Sequence, residues 1–147
     1  MAGMNLGRGA ALAAGGVFVC AMSWAGQSVS SRSAWDRVYS DVQADRGERA
    51  YGQTCSHCHG LSLEGDGARE IPTLVSDQFL RRWRRKSVQA LFDSLMRSMP
   101  ADDRGSLTPP AAADLIAYLL RANGAPSGDV PLSSDRAVLA GLVLEKP

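Results

Sequence analysis

Residues 51–60 read Tyr51-Gly52-Gln53-Thr54-Cys55-Ser56-His57-Cys58-His59-Gly60. Within them, Cys55-Ser56-His57-Cys58-His59 has the C-x-x-C-H spacing that attachment of a c-type haem requires. Two thiols three positions apart on a tight turn each add to one vinyl group of the same porphyrin. The histidine directly after the second thiol then lies under the iron, and the identity of the axial ligands tunes the potential. Rival readings of the two cysteines fit less well. Structural zinc takes four protein ligands and calls for a second Cys or His pair, which the sequence lacks. A thioredoxin-like pair belongs beside a strand-helix-strand pattern, whereas a helix enters this motif. A plain disulfide suits an exported protein but leaves His59 and the later methionine without a role.

Working towards the N-terminus, Ser40 reads as the cap of a helix over about Asp41 to Thr54, with Gln43, Gly47, Ala50 and Tyr51 on one face. Before it the chain is Ser-rich and aperiodic apart from Trp35, Val38 and Tyr39, so residues 26–37 read as a linker leading into a short docking segment. Residues 1–25 read as an export leader: Arg8, an apolar run from Ala10 to Met22, and small residues at Ser23 and Ala25. That run is shorter than the roughly 20 residues of a membrane-spanning helix, so no permanent span is expected. An uncleaved leader would leave the protein tethered. Cys20 reads as an apolar leader residue, because Val19 before it does not suit lipid modification.

Towards the C-terminus, three glycines and Asp66 mark a loop from Gly60 to Gly67, and Pro72 interrupts regular structure. Two short helices are expected next. One runs over Asp77 to Arg85 with Phe79, Leu80 and Trp83 inward; the other starts at Ser87, carries Val88, Leu91, Phe92 and Leu95 on one face, and closes at Pro100. Thr108 as cap and Pro109 at the first position open a third helix through Leu115, Ile116, Leu119 and Leu120, stopped by Asn123 and Gly124. The tail to Leu144 reads as an extended segment packing back on the domain.

Chain length and charge narrow the function. At 147 residues the chain suits one domain. Without the leader its basic and acidic side chains balance, which gives no electrostatic case for nucleic acid or for a strongly anionic membrane. The local exception is Arg81, Arg82, Arg84, Arg85 and Lys86, read as a solvated helix face or, more sharply, as a docking patch.

The sixth position on the iron follows by elimination. His57 is pinned in the attachment loop beside His59, and the chain has two histidines in all. What remains is Met99, Met96, Lys86, Lys146 or an open site. Met99 lies after the helix in a loop, free to turn its sulfur inward, while Met96 sits on the helix and suits packing, so Met99 is preferred. Pro72 reads either as a turn residue or as the carbonyl that accepts the N–H of His59. Trp83 reads as a core residue whose N–H reaches a haem propionate.

These residues resemble the small class I cytochromes c over about residues 38–144. The likeness is carried by Val38-Tyr39-Ser40, Gly47, Tyr51, the attachment motif through Gly60, Ile71-Pro72-Thr73-Leu74, Ser98-Met99-Pro100 and Leu115-Ile116-Ala117-Tyr118-Leu119. It implies that the first and last helices cross at Gly47. More narrowly, Met99-Pro100-Ala101-Asp102, Gly105-Ser106-Leu107, Asn123-Gly124 and Val130-Pro131-Leu132 are similar to cytochromes that stand beside periplasmic quinoprotein alcohol dehydrogenases. That resemblance implies a dehydrogenase as electron donor and a terminal oxidase or another cytochrome as acceptor.

The expected protein is therefore all-α: a leader (1–25), a linker (26–37), a cytochrome c domain (38–125) and a C-terminal extension (126–147). Its N- and C-terminal helices cross around one haem c held by Cys55 and Cys58, with His59 and Met99 on the iron and Pro72 and Trp83 supporting. The expected role is a periplasmic, non-enzymatic electron carrier feeding the respiratory chain. The alternative is a five-coordinate haem protein that senses gas or reduces peroxide.

Overall fold

The computed structural model describes residues 31–146; the expected leader and the start of the expected linker lie outside the described residues. The fold is helical: α1 (Asp41–Thr54), α2 (Ser56–His59), α3 (Ser76–Trp83), α4 (Val88–Ser98), α5 (Pro109–Ala122) and α6 (Arg136–Ala140), with a 3-10 turn at Gly67–Arg69. Two short strands, β1 (Arg32–Ser33) and β2 (Leu142–Val143), pair in parallel.

Helix boundaries follow local chemistry. The hydroxyl oxygens of Ser40, Ser87 and Thr108 accept from the backbone N–H groups of Gln43, Ala90 and Ala111, satisfying donors that a helix start leaves open. Pro109 takes the first position of α5, where a missing N–H costs nothing. Helix α3 begins one residue earlier than the sequence predicts and ends at Trp83, because Arg84 turns to an extended conformation.

The core is built where α1 crosses α5. Ala44, Ile116 and Ala117 are fully buried there, and Tyr51 packs on Tyr118 with ring centroids 5.4 Å apart. Gly47 makes the crossing possible, since a Cβ on it would collide with the carbonyl oxygen of Asp114 and lie 2.9 Å from the Cβ of Tyr118. Around this seam Arg46 grips Asp114 with two bonds of 2.8 and 2.9 Å, and Arg121 bridges to Asp45 and Glu48 at 2.7 and 2.8 Å. Such exposed pairs are screened by solvent and contribute little, so packing rather than charge holds the helices together.

Two sequence expectations change here. Residues 32–37 are part of the fold rather than linker: β1 pairs with β2, Ala34 is fully buried and Trp35 nearly so. Short, Ser-rich segments hide a strand whose partner lies more than a hundred residues away. The tail is also not simply extended, because Asp135 caps the one-and-a-half-turn helix α6 before β2. The tail is fastened by Gln43, whose side-chain amide donates to the Leu132 carbonyl at 3.0 Å and accepts from the Leu132 N–H at 2.6 Å. Both bonds are buried, where each contributes about 1 kcal/mol net and costs more if broken on one side.

Candidate functional site

Helix α1 feeds directly into the attachment motif. The Cys55 N–H closes the last turn of α1 on the Tyr51 carbonyl at 2.8 Å, and α2 then coils once so that the His59 N–H meets the Cys55 carbonyl at 3.0 Å. Gly60 ends this turn at φ +79, and its carbonyl accepts the Tyr51 hydroxyl at 2.6 Å. Cys58 is exposed and Cys55 half-buried. Burial pushes the Cys55 thiol above its usual range, and the neighbouring Cys58 adds to the rise.

His59 is buried, and its Nδ1 lies 3.1 Å from the Pro72 carbonyl oxygen. A carbonyl only accepts, so this contact puts the proton on Nδ1 and leaves Nε2 with a free lone pair. Two loops hold Pro72 in place. The Gly65 N–H bonds the His59 carbonyl at 2.8 Å, and the Leu74 N–H and Thr73 hydroxyl meet the Leu63 carbonyl at 2.8 and 3.0 Å. Asn123 then ties the segment to the end of α5, its amide donating to the Leu74 and Leu119 carbonyls at 2.9 and 2.8 Å.

Tyr51, Cys55, Cys58, His59, Pro72 and Leu74 line one cavity of about 420 Å³. Met99, Pro100 and Leu107 line the same cavity, and Phe79, Leu91, Leu95, Leu115 and Leu119 make much of its lining apolar. The volume falls within the roughly 300–1,000 Å³ of small-molecule and cofactor sites. Met99 caps α4 in an extended conformation and lines the cavity, whereas Met96, one turn earlier, packs half-buried against the core. Trp83 is a correction: it is half-buried at the cavity wall, packed on Phe79 with centroids 6.4 Å apart, rather than a core residue. Arg82 shares that wall.

This donor set fits a covalently attached haem. Two thiols stand at the wall of an apolar cavity, the buried imidazole of His59 keeps one ring nitrogen free, and the cavity lining includes the Met99 thioether as well as exposed His57. Among the described residues, no cluster of three or more His, Cys, Asp or Glu offers a separate metal site.

A profile of the family described as cytochrome c oxidase, cbb3-type, subunit III matches residues 42–119, more than half of the chain. The chain belongs to that family. The match begins in α1 and ends in α5, so this cytochrome c domain spans the attachment motif, the Pro72 loops and Met99. Among solved structures, the sulfane dehydrogenase SoxCD from Paracoccus pantotrophus is similar, with 23% identity and a TM-score of 0.52 over 75% of this chain and 61% of that chain. The cytochrome c domain thus spans less than two thirds of that chain, and the likeness shows the shared fold. No curated protein matches. The cytochrome c domain is that of a haem-binding electron-transfer protein.

Gly65, Thr73 and Asn123 support the site in ways that the sequence reading missed. Gly65 was legible only as one of several loop glycines and Asn123 only as a helix stop. A polar residue directly before the Gly that ends an apolar helix is the signal that marks Asn123 as a capping and docking side chain.

Proposed function

We propose that this protein is a periplasmic one-electron carrier holding one haem c, bonded through Cys55 and Cys58, with His59 and Met99 as axial ligands. It takes electrons from a dehydrogenase and passes them to the respiratory chain. The observation that carries this reading is the presence of Cys55, Cys58, His59 and Met99 in the lining of one apolar cavity from which Met96 is absent. When bound, the haem supplies ferric–ferrous chemistry at a potential that its ligands set.

The chain's own groups each have a task. The thiols anchor, the Pro72 carbonyl fixes the tautomer and ring plane of His59, and the aliphatic wall excludes water, which favours the less charged ferrous state. His59 and Met99 would together hold the iron and leave no place on it for oxygen or peroxide, which is why the carrier reading is preferred to a sensor or a peroxide-reducing protein. A dehydrogenase as donor is supported by the resemblance to cytochromes of quinoprotein dehydrogenases and by the likeness to a sulfane dehydrogenase chain. Export is supported by the leader pattern of residues 1–25.

The test is the visible spectrum of the exported protein, oxidised and reduced, beside that of Met99→Ala. A low-spin c-type spectrum with the weak near-red methionine–iron band, lost in the variant, is the expected result. A high-spin wild type, or prompt carbon monoxide binding by its reduced form at neutral pH, overturns the carrier reading.

A further inference from the structure

Arg81, Arg82, Arg84, Arg85 and Lys86 form the one strong sequence motif that cofactor binding leaves without a role. All five side chains are exposed. Arg84 meets Glu145 only at 3.9 Å with both groups in solvent, and the Lys86 ammonium rests 5.1 Å over the Trp83 ring. Among the described residues, Arg81, Arg82 and Arg85 enter no ion pair. Elsewhere Arg46, Arg121 and Arg136 are each held by carboxylates at 2.7–2.8 Å, whereas the described cations that enter no ion pair, Arg32, Arg37, Arg49, Arg97, Arg104 and Lys146, stand singly in the sequence. The run therefore gathers five exposed cations within six consecutive residues on one stretch of surface, a density that no other part of the sequence matches.

That face is held in shape. The chain leaves α3 at Trp83, Arg85 takes a left-handed turn at φ +61, and the C-terminal tail clamps it: Arg85 N–H to the Leu144 carbonyl at 3.2 Å, Leu144 N–H to the Lys86 carbonyl at 2.8 Å. Its position matters as much as its charge. Arg82 and Trp83 also line the cavity, so the cationic segment reaches the edge of the site that the carrier reading gives to the haem.

We propose that Arg81, Arg82, Arg84, Arg85 and Lys86 are the docking surface for a redox protein whose own surface is acidic, and that Trp83 marks where the two redox centres approach. The proposal rests on the carrier reading and adds the site and charge of the partner. Four of the five cations are arginines, whose weakly hydrated, planar guanidinium groups suit carboxylates at interfaces better than lysine does. A protein fits this position better than a lipid surface, because only a protein brings a redox centre to the cavity wall. One electron leaves the reduced partner, one ferric iron becomes ferrous, and no bond forms or breaks.

The test uses the haem-loaded full chain and reduced flavodoxin, an acidic one-electron protein, as the probe. Its second-order rate with wild type is expected to fall steeply as salt is added, since steering between opposite charges is screened. The triple variant Arg81→Glu, Arg84→Glu, Arg85→Glu should react about tenfold more slowly at low salt, with the salt dependence flattened or reversed. The corresponding triple Gln variant should fall between them, and all three proteins should share one visible spectrum and one potential. Equal rates and equal salt dependence in the three proteins overturn the proposal. So does a Glu variant that keeps its flavodoxin rate but no longer sediments with phosphatidylglycerol vesicles, which would assign the face to lipid. A wild type that dithionite does not convert to a c-type ferrous spectrum removes the carrier reading itself, and the docking proposal with it.

Discussion

Pro72 and His59 meet at 3.1 Å, carbonyl oxygen to Nδ1, and Gly65 is the residue that lets the two loops close to that distance. Gly65 sits at φ +72, and a Cβ there would lie 2.5 Å from the Ile71 carbonyl oxygen, 2.6 Å from the Pro72 carbonyl carbon and 2.7 Å from the Thr73 nitrogen. Backbone atoms cannot swing aside as a side-chain tip does. Gly65→Ala is therefore expected to push Pro72 away from His59 and to destabilise the fold by about 2 kcal/mol or more, the sum of left-handed strain and overpacking. Both thiols are untouched, so the mass should still include one attached haem while the melting temperature falls and the potential rises, because a His59 ring without its carbonyl acceptor is a less basic ligand. A variant that melts and titrates like wild type would remove Gly65 from this role.

The α1–α5 crossing gives a second prediction. Alanine is the better helix former by about 1 kcal/mol, yet Gly47→Ala should destabilise the protein by about 1–3 kcal/mol net, because the added methyl meets the Asp114 carbonyl and the Tyr118 Cβ. Denaturant unfolding followed by the Soret band measures this. A stabilised variant would mean that the helices separate at little cost.

These two glycines show where sequence reasoning reaches and where it stops. Gly47 was legible, because it lies on the buried face of an amphipathic helix with Gln43 and Tyr51. Caps at Ser40, Ser87 and Thr108 were legible for the same reason: each chemistry is local, read within four residues. Gly65 differs from Gly67 only in what lies opposite it, since a Cβ on Gly67 would meet nothing within 4 Å. The sequence carries no record of that difference. The pairing of Arg32 with Leu142 and the clasp of Gln43 on Leu132 are likewise non-local, and each was invisible until the chain was folded. Met99 and Met96 were separable in advance only because one ends a helix and the other continues it.

That separation is itself measurable. Met96 packs half-buried against the core and does not line the cavity, so Met96→Ala should cost about 1–3 kcal/mol of stability through lost contacts, near or below the low end for fully buried methionines. Its oxidised and reduced spectra, and its near-red band, should match wild type. A Met96 variant that loses the band while Met99→Ala keeps it would reverse the assignment of the two sulfurs.

Alkaline stability is set in part by Tyr39. Its ring is almost fully buried, and its hydroxyl donates to the Ala125 carbonyl at 2.6 Å, joining the start of α1 to the end of α5. Burial holds its pKa above the ordinary 10.0, with Asp41 adding to the rise and Arg121 opposing it. Tyr51 and Tyr118 are raised as well, again chiefly by burial. The folded state thus keeps a proton that the unfolded chain gives up first. This contribution is complete below about pH 10 and is lost as pH climbs from there through the folded value, since the unfolded state then binds fewer protons. Tyr39→Phe leaves the Ala125 carbonyl unpaired and should cost about 1–3 kcal/mol at neutral pH. Above pH 10 the wild type forfeits stability that the variant does not, so the gap between their unfolding midpoints should narrow as pH rises. A gap that stays constant or widens would show that Tyr39 does not carry the alkaline transition.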